Sequence, residues 1–186
     1  MGIFNRVPKW DKILPVYGVI VLILYIWTLL WFFWKVPSWM YFLTFSEISV
    51  SLAYSLAVNL LESLAVLVFL ITLCLILPQK WFYDAFIPQA VGLILPGLGF
   101  MMYLAMQFQT KEDYPSLLLR LSPLVALGIA VFSFLISRVA FLRKVIELFA
   151  DRATIFAYIT IPASLISVGV IVIRLVVYGV LHTHPN

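Results

Sequence analysis

The stretch "ILPVYGVIVLILYIWTLLWFFW", residues 13–34, contains no charged side chain. As a helix it reaches ~33 Å at 1.5 Å per residue, which matches the ~30 Å hydrocarbon core of a bilayer. Arg6, Lys9 and Lys12 precede it and Lys35 follows it. A basic start before an apolar run is also the pattern of a secretory signal. This run is too long for a signal core, however, and "WFFWK" is no small-residue cleavage site, so the stretch reads as an uncleaved first span.

The rest of the 186 residues repeat the message. The chain is 65% hydrophobic and 11% charged, where an ordinary soluble domain carries roughly 25% charged residues. A water-soluble fold cannot hide that much apolar surface, so the solvent is lipid. Five runs are long enough to cross: 13–34, 54–77, 85–108, 117–137 and 154–178. The expected fold is an all-α, polytopic integral membrane helical bundle, a single membrane domain over residues 1–186. No internal repeat, low-complexity tract or soluble domain interrupts it.

Orientation follows from lysine and arginine. With the N-terminus inside, the inner face carries Arg6, Lys9, Lys12, Lys80, Arg138, Arg143, Lys144 and Arg152. The outer face carries Lys35, Lys111, Arg120 and Arg174. Eight against four favours N-terminus in and C-terminus out. The aromatic residues agree with these edges: Trp10, Trp81, Phe82 and Tyr83 inside, and Trp31, Trp34, Trp39, Tyr41 and Phe42 outside.

Two helices read as longer than a bilayer needs. "TFSE", from Thr44 to Glu47, has the form of a capping box, with Thr44 as N-cap and Glu47 reaching back to it. A helix from there to Leu77 is ~50 Å long and must tilt or protrude. The fourth span is expected to run on through "SRVAFLRKVIELFADR", with 138–152 as an amphipathic connector on the inner side. There Phe141, Leu142, Val145, Leu148 and Phe149 keep helical spacing, while Arg138, Arg143, Lys144 and Arg152 are candidates for contact with anionic lipid headgroups. The same segment also suits a docking partner. Pro96-Gly97-Leu98-Gly99 and Pro162 lie inside spans. An interior proline frees a carbonyl that lipid cannot satisfy, so "LPGLG" is expected to face protein.

The candidate site lies in the second span. Glu47, Ser51, Ser55, Asn59 and Glu62 step by four, four, four and three, and read as one polar stripe. Counted from Leu77 at the inner edge, Glu62 lies ~22 Å up. Arg120 and Arg174 are expected at a similar depth. Asn59, Glu62, Arg120 and Arg174 therefore form the candidate intramembrane polar cluster. In one reading Glu62 closes an ion pair with an arginine and fixes the bundle. In the other, the stripe lines a wet cleft open to the outside that binds a cation, a proton or a polar substrate.

Other chemistries lack their residues. "HTH", from His182 to His184, is too short and too terminal to argue for a metal. No zinc motif, phosphate-binding loop or G-x-S-x-G elbow is present. Cys74 is a single cysteine and can form neither an internal disulfide nor a thiolate cluster. Nothing points to a catalytic role, a cofactor or nucleic-acid binding. The sequence reading is a small multi-pass protein of the plasma (inner) membrane, serving as a non-catalytic accessory, structural or assembly subunit of a larger membrane complex. Its partners are the lipid bilayer and other membrane subunits or a second copy of itself. Ala53/Ala57 and Ala163/Ser167, small residues four apart, suit close helix contact. The alternative is a transporter or channel component with an outward-facing polar cleft around Glu62; a third reading, a membrane enzyme acting on lipid, lacks a recognisable set of catalytic residues.

Overall fold

The computed structural model describes residues 8–77, 82, 85–110 and 116–183. Arg6, Lys80, Trp81, Tyr83, Lys111 and His184, used above, lie outside them. The described residues form five helices and no strand: α1 (Trp10–Trp39), α2 (Phe45–Ile76), α3 (Phe86–Thr110), α4 (Ser116–Arg138) and α5 (Ala140–Thr183). All five are long and apolar enough to cross a membrane. The chain is an all-α integral membrane bundle, as its apolar runs require.

The chain divides into two compact units, Met1–Val19 with Val68–Thr154, and Ile20–Leu67 with Ile155–Asn186. α1, α2 and α5 each contribute to both. α1 is the most enclosed helix, with 56% of its most apolar window buried against 22% or less in the others. Val16, Val19, Ile20 and Val21 are wholly buried. The outer sides of the other helices expose large apolar residues, including Leu124, Leu127, Ile166 and Ile173. Such a surface is stable only where lipid or another protein covers it.

In the first unit, helices approach through small residues. A Cβ built on Gly18 of α1 would lie 2.6 Å from the carbonyl oxygen of Ala153 in α5. Gly92 of α3 faces Ser133 of α4, with 3.4 Å from an added Cβ to the Ser133 Cα. The Ser133 hydroxyl donates to the Gln89 carbonyl at 2.7 Å, and the Gln89 Nε2 donates to the Ser137 Oγ at 3.2 Å. In the second unit, segments of α1, α2 and α5 pack around Leu24, Tyr25, Ala53, Asn59, Ala157 and Ser164, all buried.

The start of α2 follows the sequence reading. Both the Thr44 backbone N–H and its hydroxyl donate to the Glu47 Oε2 at 2.8 Å. The Glu47 N–H returns to the Thr44 Oγ1 at 3.4 Å. The helix runs 32 residues, ~48 Å.

Two expectations change. The fourth span does not run through the basic segment. α4 ends at Arg138, where the Val139 N–H bonds the Ile136 carbonyl in a tight closing turn, and the Val139 carbonyl then accepts from the Arg143 N–H to open α5. Residues 140–152 are therefore the first turns of α5 and not a separate connector. α5 continues for 44 residues, ~66 Å and about twice the hydrocarbon thickness. The second change concerns "LPGLG". α3 buries its first turns, through Phe86, Gln89, Ala90, Val91 and Ile94. Leu95 is exposed, and among the described residues nothing lies within 4 Å of an added Cβ at Gly97 or Gly99. The proline segment is therefore only half-covered, lying between the packed first turns and the buried Leu104. Its freed carbonyl belongs to Gly92, one turn back, on the side that meets α4.

Candidate functional site

Within the second unit, Asn59, Glu62 and Arg174 of the expected cluster do not share one place. Asn59 is 2% exposed, and its Oδ1 accepts from the Thr28 hydroxyl at 2.9 Å. Its Nδ2 is buried with no partner among the described residues. Rotating the amide would exchange the two atoms and leave the oxygen unpaired instead, so one polar atom stays orphaned in either assignment. Glu62, three residues on, is exposed and makes no ion pair among the described residues. Arg120 is exposed and belongs to the other unit. Arg174 is half-buried and lies with Glu47 at the start of α2, where its positive charge acts on that carboxylate.

Helix geometry accounts for the split of the stripe. Each four-residue step overshoots a full turn by ~40°, so from Glu47 to Asn59 the stripe drifts ~120°, and the three-residue step to Glu62 brings it back by ~60°. Asn59 reaches the face that also buries Ser63, Leu70 and Cys74. Glu62 stays at the edge of the opposite face, with Val58, Leu61, Ala65 and Phe69, all exposed.

A buried polar line inside the second unit was not singled out from sequence. The Tyr25 hydroxyl of α1 meets the Ser164 Oγ of α5 at 2.5 Å and lies 3.5 Å from the Leu56 carbonyl of α2. One turn on, Thr28 reaches Asn59. Tyr25 and Thr28 are three apart and so share a face of α1. They are the only polar side chains apart from the tryptophans between Val19 and Trp34, which is the signal that could have found them. Such bonds join helices in lipid, each contributing about 1 kcal/mol.

Above this line, α2 and α5 enclose an open groove of about 480 Å³. Val50, Val170, Ile173 and Val177 form its apolar walls, with Glu47 and Arg174 as its charged residues. Arg174 continues the α5 seam of buried small residues, Ala150, Ala153, Ala157, Ser164 and Ser167, at steps of three, four and seven.

The headgroup candidates lie at the junction of α4 and α5. Arg138, Arg143, Lys144 and Arg152 are all exposed. The Arg138 guanidinium stacks over the Phe134 ring, 4.8 Å from its centre, and the Arg143 Nε pairs with the Glu147 Oε1 at 2.9 Å. The start of α5 has three faces. Ala150 and Ala153 are buried, Arg143, Lys144, Glu147 and Asp151 occupy a second face, and Phe141, Val145, Leu148 and Phe149 are exposed on a third, where Arg152 also lies. Cations in the first turns of a helix oppose its dipole, a cost that an anionic surface offsets. At the other end of α1, Trp27 and Trp31 pack edge to face, with ring centres 5.7 Å apart, in a belt that Trp34 continues.

No family model, curated protein or solved structure matches this chain.

Proposed function

We propose that this chain is a non-catalytic subunit of a larger membrane complex in the plasma membrane, and that it docks through the exposed face of α2 around Glu62. The position of Glu62 carries this reading. It lies 17 residues from Phe45 and 14 from Ile76, ~26 Å and ~21 Å along the axis, close to mid-helix. Its exposed neighbours Leu61, Leu64 and Ala65 are apolar. A charged side chain at the centre of a spanning helix and facing lipid costs about 3 kcal/mol or more. A partner helix offering an arginine, a lysine or a pair of hydroxyls removes that cost.

The test is affinity purification from native membranes in mild detergent, comparing wild type with Glu62→Leu and Glu62→Gln. Reproducible partners are expected with wild type and are lost with Glu62→Leu, while the variant's melting temperature does not fall. Glu62→Gln retains a fraction of the binding if the partner supplies hydroxyls. A wild-type chain that travels alone, or a Glu62→Leu chain that keeps its partners, overturns the proposal.

The one amide atom of Asn59 left without a partner among the described residues supports a second reading, a transporter or channel component in which the polar line of the second unit faces a solute path. There, an Asn59→Cys variant is labelled by a membrane-impermeant thiol reagent. Under the docking reading it stays unlabelled.

A further inference from the structure

We propose that the groove between the start of α2 and the end of α5 is a binding site for a zwitterionic phospholipid whose headgroup carries a primary ammonium. The ligand class follows from the lining. Val50, Val170, Ile173 and Val177 make an apolar wall suited to an acyl chain. Arg174 supplies a guanidinium, the side chain best matched to a phosphate. Glu47 supplies a carboxylate in the same groove. Thr44 places both of its capping bonds on the Glu47 Oε2, so the Oε1 carries neither of them and can accept from an ammonium. The cap also fixes the rotamer of Glu47, so the carboxylate is preorganised.

Opposite charges within one groove, with an apolar wall beside them, select a lipid that carries both signs. An anionic glycerol headgroup satisfies Arg174 but meets the Glu47 charge. A choline headgroup carries a positive charge but has no N–H to donate to the carboxylate. The distribution of lysine and arginine assigns this groove to the outer edge, where headgroups lie. This site does not rest on the docking reading. It is a property of the chain alone and is measured without a partner.

The experiment is native mass spectrometry of the full chain in detergent, titrated with dioleoyl phosphatidylethanolamine, phosphatidylcholine or phosphatidylglycerol. Phosphatidylethanolamine is expected to bind about three- to tenfold more tightly than either of the others, the scale of one partly exposed charge-assisted bond. Glu47→Gln keeps the capping box, because glutamine serves at that position, and brings phosphatidylethanolamine down to parity with phosphatidylcholine. Arg174→Gln weakens both, and Arg174→Lys restores most of the loss. Glycerophosphoethanolamine, which has the headgroup without acyl chains, does not displace bound lipid at millimolar concentration. Preference for phosphatidylglycerol, equal binding of all three lipids, unchanged selectivity in Glu47→Gln, or displacement by the soluble headgroup would each overturn the proposal.

Discussion

Gly18→Ala is a one-carbon change with a large expected effect. The added Cβ would lie 2.6 Å from the Ala153 carbonyl oxygen, 2.7 Å from its carbonyl carbon and 2.8 Å from the Thr154 Cα. All three atoms are backbone, so no rotamer change relieves them. Ordinary contact begins at 3.4 Å, which leaves a shortfall of 0.8 Å (3.4 − 2.6) that only separation of α1 from α5 can supply. A gap of 0.5–1 Å forfeits about a quarter to a half of the dispersion energy of the atoms facing it. Overpacking of this kind costs about 1–3 kcal/mol. Alanine recovers about 1 kcal/mol in helix propensity. With a rigid obstacle the cost is taken at its upper end, so the net loss is ~2 kcal/mol. At ~2–4 °C per kcal/mol for a chain of this size, the melting temperature falls by ~4–8 °C. Tryptophan fluorescence during a thermal ramp in detergent reads this directly. Gly128→Ala and Gly169→Ala are the controls, because nothing lies within 4 Å of an added Cβ at either among the described residues. They should melt at or slightly above wild type. A Gly18→Ala protein that melts with them would refute the close crossing of α1 and α5.

Two further outcomes follow from the polar contacts. Thr28→Val leaves the Asn59 amide with neither polar atom paired among the described residues, and should cost about 1–3 kcal/mol. Thr28→Val with Asn59→Leu removes both partners and should return stability close to wild type, whereas additive losses in the double variant would show that the two side chains are not coupled. Arg143→Ala should change stability by less than ~0.5 kcal/mol, because its pair with Glu147 is solvent-exposed and has the weaker order, with the base N-terminal to the acid. A loss above about 1 kcal/mol in the same thermal assay would mean that the pair is screened far less than its exposure implies.

What was legible in the sequence was what lipid or a single helical turn dictates. Five spans follow from uninterrupted apolar runs, because backbone in lipid must bond to itself. The Thr44–Glu47 box follows because its partners are three residues apart. The division between α4 and α5 carried no such mark: Val139 is neither glycine nor proline. The expected depth of Arg174 came from starting the fifth span at Thr154. α5 instead runs unbroken from Ala140, so hydropathy alone could not fix which part of it lies where. The register of α5 against α1 is visible in small residues, Gly18 against Ala153, which a hydropathy window passes over.

The same reasoning separates the two polar residues that looked alike in "NLLE". Lipid tolerates a polar side chain that another helix satisfies. Tyr25 with Ser164 and Thr28 with Asn59 obey that rule within the second unit, save for the one amide atom of Asn59 without a partner among the described residues. Glu62 does not obey it. Its helix could have carried leucine there at no cost to any contact among the described residues, since the side chain is exposed and leucine is the better solvent match. A local rule broken without a compensating contact inside the fold points outside it. Under the proposed docking a partner meets the carboxylate, and Glu62→Leu should then stabilise the isolated chain in detergent while abolishing co-purification of that partner. A Glu62→Leu chain that is less stable alone would place the missing contact within the protein, and the docking face would have to be sought elsewhere.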